Sequence, residues 1–431
     1  MTFVRLGVAA LVILLLAGTP SSGEDTLSWA DCVRLAAENS PALIASRRQV
    51  ETAEVSVGIA RSALLPQLSA GASASRSDRD GAGAASDTSY SASVSVDQSL
   101  YSGGRNQASI RAARASLERT TAAGDDTGAQ LTYDLRAAFV DVLYAGEQVA
   151  LLHTIEARRR ENLELVELRY EGGREHKGSL ASSRASLFDA QVQVKQATRR
   201  TFVNRSVLCR TIGIESMPQG TGISGSMNEV AIPKDGPIET IAKRTPTFRA
   251  SLASVAAAEA DLAGARGGYR PSLSLSGSAA RSGDNDAFED DSWAVGLKLS
   301  LPLWSGGKTG HEVTKARAAV AAANADLADT FNGVINSLAE ARQGLMNAVE
   351  DVEVQEKYLE AAETRAEIAR QQYEDGLLSF ENWVVIEDDL VNRKKQLLDA
   401  RRSAMRAEAS WWRATGRSVF RGMETSGDDD S

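Results

Sequence analysis

The chain carries its own copy. Leu100-Tyr101-Ser102-Gly103-Gly104-Arg105 returns as Leu303-Trp304-Ser305-Gly306-Gly307-Lys308, and Arg169-Tyr170-Glu171-Gly172-Gly173 returns as Gln372-Tyr373-Glu374-Asp375-Gly376, both 203 positions later. Pro41 matches Pro246, and Pro66-Gln67-Leu68-Ser69 matches Pro271-Ser272-Leu273-Ser274, at an offset of 205, while Gly213 matches Gly416 at 203. A period this long is no solenoid unit. It predicts a duplicated module whose two copies assemble around one core or axis.

Ahead of the first copy, Arg5 precedes the apolar run from Val8 to Ala17 and the small-residue stretch Gly18 to Gly23. That order predicts a secretory signal peptide over 1–23, too short in its apolar part to span a bilayer as a helix. Leu16-Ala17-Gly18 is followed by Thr19, so this box lacks the cysteine needed for acylation. Beyond it no stretch is apolar enough for a transmembrane helix, which leaves an exported soluble protein or one held in an outer membrane by strands. Two cysteines, Cys32 and Cys209, are too few for a disulfide scaffold; they are either a pair or two separate buried thiols. A net charge of -9 argues against nucleic acid as a partner. The three histidines, His153, His176 and His311, are too scattered for a metal cluster, and no cofactor is expected.

Within one copy the apolar period changes twice. From Trp29 to Ala63 it is helical, with a break at Ser40-Pro41. After Pro66, Leu68, Ala70, Ala72 and Ala74 alternate with small or polar residues, as do Tyr90, Ala92, Val94 and Val96. In the second copy Trp293, Val295, Leu297, Leu299, Leu301 and Leu303 alternate with Gly296, Lys298 and Ser300. Strict alternation predicts strands over about 67–76, 88–101, 272–281 and 291–304, each with one apolar and one polar face. The connecting segments, Ser77 to Asp87 and the acidic stretch around Asp284, Asp286, Glu289, Asp290 and Asp291, have loop chemistry. Past each Ser-Gly-Gly break a helical pattern runs about sixty-five residues without proline, on the order of 100 Å. Leu135, Ala138, Val142, Ala145, Val149 and Leu152 form a heptad seam in it, and Leu338, Ala341, Leu345, Ala348, Val352, Gln355, Leu359 and Ala362 repeat that seam. A returning helix follows each turn, Ser179 to Thr211 and Ser379 to Thr415.

Four amphipathic strands with Tyr90, Tyr101, Trp293 and Trp304 toward their ends look like lipid-facing staves of a barrel. Four cannot close a barrel, so several subunits must contribute. Gly306-Gly307-Lys308-Thr309 looks like the end of a phosphate-binding loop, but the glycine such a loop needs five positions before Gly307 is Pro302, and the first copy reads Gly103-Gly104-Arg105-Asn106. No nucleophile, metal or paired-carboxylate motif suggests an enzyme.

With these features the chain resembles the TolC-type outer-membrane efflux proteins over roughly Leu27 to Gly416. The resemblance implies a mostly α fold with a membrane β-barrel: a homotrimer whose 12-stranded β-barrel continues as a long α-helical coiled-coil tunnel through the periplasm. It divides the chain into two repeats, 24–213 and 236–416, with a linker at 214–235 and an acidic flexible tail at 417–431. It implies a gated outer-membrane conduit served by a periplasmic adaptor and an inner-membrane RND or ABC transporter, with outer-membrane lipid around Tyr90, Ala92, Val94, Trp293, Val295, Leu297, Leu299 and Leu301. The helix tips, Tyr170, Gly172, Gly173, Gly178, Ser179, Leu180, Tyr373, Gly376, Leu377, Ser379 and Phe380, are expected to dock the adaptor. In the family pattern a tip Tyr and an Arg engage an acidic residue. Tyr373 matches the Tyr, but Leu378 stands at the Arg position, Ser179 at the acidic one, and Asn382 and Val385 where two aspartates ring the aperture. Arg174, Lys177, Glu374, Asp375, Glu381 and Asn382 are then the remaining gate candidates. A type I protein-secretion conduit and a pore-free periplasmic coiled-coil scaffold are the alternatives.

Overall fold

The computed structural model describes residues 26–77, 87–217, 222–227, 230, 232–233, 236–284 and 290–421. The expected signal peptide, the loop positions between the strands of each hairpin, including Asp286 and Glu289, and the tail from 422 onward lie outside the described residues.

Two matching series of elements follow one another. The first runs β1 (Thr26–Leu27), α1 (Trp29–Asn39), α2 (Pro41–Ser62), β2 (Gln67–Ser77), β3 (Asp87–Tyr101), α3 (Arg105–Glu171) and α4 (Lys177–Ile212). The second runs β4 (Gly222–Ile223), α5 (Ile238–Ala242), α6 (Pro246–Gly267), β5 (Ser272–Asp284), β6 (Asp290–Ser300), α7 (Lys308–Glu374) and α8 (Phe380–Thr415). The sequence dictates the boundaries. Pro41 and Pro246 occupy first turns, where the missing N–H is no loss. The glycine pairs before α3 and α7 take left-handed φ, with Gly104 at 87° and Gly307 at 82°, turning the strand into the helix. The phosphate-loop likeness at Gly306-Gly307-Lys308-Thr309 is therefore a helix start.

Both long helices have 67 residues. In the half near the helix turns, α3 lies between α4 and α8, and α7 flanks α8; in the half near the strands, α2, α3, α6 and α7 form the same four-wide order. Shorter helices therefore stack end to end beside the long ones. The junctions are tight: a Cβ on Gly213 would collide with the Asn39 carbonyl oxygen, and one on Gly416 would collide with Pro246 Cδ. Leu135, Ala138, Val142, Ala145 and Leu152 of the α3 seam are buried. In α7, by contrast, Leu338, Leu345 and Ala362 of the matching seam are buried while the positions between them are not, since one side of that helix has no packed neighbour among the described residues. The main core gathers Leu135, Phe139 and Val142 with Cys32, Leu208, Ile212 and Met405. Cys32 and Cys209 are free and buried; burial pushes the Cys32 thiol up to about 11.

The four long strands form one antiparallel sheet in the order β2-β3-β5-β6. Among the described residues no helix is long and apolar enough to cross a membrane.

Several expectations need correction. The last strand ends at Ser300, so Leu301 lies beyond it; Pro302 has no N–H to continue a ladder. The start of the presumed tail is packed: Phe420 is 1% exposed, and the Val419 N–H donates to Thr132 Oγ1 at 3.1 Å. The linker holds structure as well, because β4 pairs in parallel with β1 and Met227 is buried. Two-residue strands leave no period to read.

Candidate functional site: the helix tips and the strand faces

Both tips reverse the chain with the same device. A glycine in left-handed conformation, Gly173 or Gly376, is followed three residues later by a helix cap, His176 or Ser379. Ser379 accepts the Asn382 N–H, an ordinary hydroxyl cap. His176 accepts instead from Gly178 and Ser179 through Nδ1, at 3.1 and 3.3 Å.

The two tips meet at Tyr373. Its side chain is fully buried, and its hydroxyl donates to Glu175 Oε2 at 2.9 Å. The Ser179 hydroxyl donates to Glu175 Oε1 at 2.8 Å, and the His176 N–H donates to the same oxygen at 3.1 Å. Burial would raise the Glu175 carboxyl, but these three donors outweigh it and hold the group below its usual value. Burial, with Glu175 beside it, pushes the Tyr373 phenol well above its usual value. The Tyr373 ring lies between the Trp383 indole, stacked at 4.3 Å, and the Arg169 guanidinium at 4.5 Å. Arg169 also donates to the carbonyls of Tyr373 and Glu374 at 2.6 and 3.2 Å, so a residue of the first tip closes the C-terminal end of α7. Val166, Leu180, Ala369 and Phe380 complete the apolar surround.

The structure thus brings Tyr373, Ser179, Leu180 and Phe380 together. Arg174, Lys177 and Asp375 are exposed and form no ion pair among the described residues. Glu374 pairs within its own helix with Arg370, and Glu381 lies 3.8 Å from His176 Nε2. Asn382 is exposed, as are Gly172, Gly178, Leu377 and, at 39%, Tyr170. Sequence reasoning missed Glu175, Arg169, His176 and Trp383. A signal existed: the acid that Tyr373 engages is one helical turn before Ser179, and overlaying the copies sets Glu175 against Leu378 and His176 against Ser379.

Behind the tips, α3 and α8 are joined by a column of charge. Glu387, 1% exposed, takes a bidentate contact from Arg158 at 2.7 and 2.8 Å and a third bond from Asn162 at 3.1 Å. Farther along, Arg136 meets Glu408, Arg402 meets Asp141, and Arg413 meets Asp126.

At the other end of the molecule the register sorts the sheet into two unlike faces. Leu68, Ala70, Ala72 and Ala74 stand beside Val96, Val94, Ala92 and Tyr90, and Leu275, Gly277 and Ala279 stand beside Leu297, Val295 and Trp293. Leu299 shares that face opposite Leu273. The opposite face is mostly serine, with Ser69–Ser95, Ser73–Ser91 and Ser75–Ser89 hydroxyl pairs at 2.8 Å each. Trp293, Val295, Leu297 and Leu299 are each at least 66% exposed in the single chain.

Comparison with known proteins agrees with this architecture. The family model described as outer membrane efflux protein matches residues 32–213 and 238–417. The chain is 24% identical to outer membrane protein TolC of Vibrio cholerae over 402 residues, covering 89% of each. It is 23% identical to outer membrane efflux protein BepC of Brucella suis, covering 95% of this chain and 90% of that one. Its fold superposes on a crystal structure of CusC with a TM-score of 0.82 at 17% identity, covering 90% of this chain and 91% of that one. A duplicated helical wall, a two-faced sheet and a family match across both copies lead to one assignment: this chain belongs to the outer membrane efflux protein family.

Proposed function

We propose that this protein is the outer-membrane channel of a tripartite efflux system, a trimeric conduit that takes solutes from an inner-membrane pump and a periplasmic adaptor. The observation that carries this reading is the open sheet. Both β2 and β6 keep an unpartnered edge among the described residues, and exposed edges of this length need a partner. Strand direction alternates across the sheet, so β6 of one copy runs antiparallel to β2 of the next. Three copies supply twelve staves, with the Leu/Val/Trp face toward lipid and the serine face toward water.

The helical wall supports the same closure. Its lateral edges are α2 with α4 on one side and α7 on the other, and α4 leaves Phe188, Phe202 and Val203 exposed. Apolar rows of this kind mark an interface. At the far end the Tyr373–Glu175 bond, clamped by Arg169 and Trp383, acts as the closing latch, and the exposed rim around Tyr170, Gly172 and Leu377 receives the adaptor. The test is single-channel conductance of the purified protein in planar bilayers, with its mass in detergent. A trimer with a discrete, mostly closed conductance is expected. A monomer that leaves bilayers silent would overturn the reading.

A further inference from the structure

The two tips are capped by different chemistry. Ser379 caps α8 with a hydroxyl that does not titrate, whereas the matching position in the first tip is His176, whose ring accepts two backbone N–H groups through one nitrogen. An imidazole can accept there only while neutral, with its proton on Nε2. That nitrogen lies 3.2 Å from Ser179 Oγ, and so donates to it. Ser179 Oγ in turn donates to Glu175, whose other oxygen holds Tyr373. The cap and the latch are one hydrogen-bonded chain: His176, Ser179, Glu175, Tyr373. Gly178 is fitted to this arrangement, since a Cβ there would fall 2.9 Å from the imidazole.

We propose that His176 is a proton-operated cap: neutral, it holds the first turn of α4 and with it the latch; protonated, it releases that turn and favours opening. The proposal rests on the gating role given to the latch. Histidine changes charge between about pH 5 and 8. An imidazolium cannot accept the two N–H groups, and it faces the positive end of α4. Two carboxylates, those of Glu175 and Glu381, attract the imidazolium, but neither replaces the acceptor that the two N–H groups lose. Glu175 is already occupied by three donors, Glu381 on α8 is 3.8 Å away and 71% exposed, Tyr373 is engaged on Glu175, and Arg174 and Lys177 add positive charge on the same segment.

The second tip serves as an internal control. Amide exchange of the purified full-length protein, corrected for intrinsic rates, is followed from pH 8 to 5 in peptides spanning residues 174–183 and 377–386. Exchange in the first relative to the second should rise about five-fold, the typical worth of a cap. His176→Ser, which installs the other tip's cap, should abolish the rise. In bilayers the open probability should climb over the same range in the native protein and stay flat in His176→Ser. No change in the native protein, or an equal change in His176→Ser, would overturn the proposal. So would slower exchange in acid that Glu381→Gln removes, since the imidazolium would then be tying the two tips together. Silent bilayers would strike the channel reading, while the exchange ratio would still decide the cap.

Discussion

Glu387 sits in a seam that is otherwise apolar, between Trp383 and Leu390, and its charge survives burial because Arg158 and Asn162 occupy both oxygens. The two partners are not equally exposed: Arg158 keeps a quarter of its side chain in water, and Glu387 keeps none to speak of. Removing the arginine therefore costs more than removing the acid. Arg158→Met should lower the unfolding free energy by about 3 kcal/mol, and Glu387→Gln by clearly less, in denaturant titrations of the solubilised protein. Burial tends to raise the Glu387 carboxyl, but the Arg158 contact outweighs it, so the folded value lies below the ordinary 4.5. The pair's contribution is thus complete above that value and is lost as pH falls through the lowered one. In Arg158→Met the stranded acid has the opposite dependence, so the gap between the two proteins should narrow in acid. At the latch, Tyr373→Phe keeps the Trp383 stack and loses only the bond to Glu175, so open probability should rise several-fold with the fold intact. A fall would mean that this bond does not keep the tips shut. Of these residues only Tyr373 and Ser179 were legible in the sequence. Arg158 and Glu387 lie 229 positions apart and share no motif, although an acid at a seam position was a sign that a partner exists.

Element boundaries were easier to read, because each is enforced locally. Pro41, Pro246 and the glycine pairs before α3 and α7 mark breaks that neighbours in space cannot override, and strand alternation is legible because the two faces of the sheet carry different residues. What could not be read was short or non-local: β1 with β4, and the packing of Phe420 onto the core. The two faces of the sheet make opposite predictions for one substitution. Leu297→Asp places a carboxylate in the row beside Leu275, where burial in lipid should cost about 2 kcal/mol at mid-depth. Ser276→Asp, one position along and on the serine face, should be nearly neutral. Urea titration of refolding into lipid vesicles measures both. Equal costs would mean that the sheet does not separate lipid from water.

In the whole molecule, every structure at the two lateral edges is unfinished in the same sense. Among the described residues the sheet ends in unpaired strands, α7 lacks a packed neighbour along one side, and α4 exposes Phe202 at 74% and Phe188 at 67%. A lone chain would carry this apolar surface in the periplasm, outside the reach of lipid, which is a strong drive to associate. Because the two edges differ, the proposed trimer sets α2 and α4 of each copy against the α7 of the next. Such a head-to-tail contact either closes into a ring or propagates without limit. The proposed trimeric ring partners both edges at once, β6 with β2 in the sheet and α7 with α2 and α4 in the helical wall. Phe202→Glu should therefore shift the detergent mass from trimer toward monomer with helix content unchanged by circular dichroism. Three contacts are lost per ring, so the effect should be steep in protein concentration. Retention of the trimer at high dilution would place the subunit contact on another face and leave the exposed phenylalanines of α4 to a different partner.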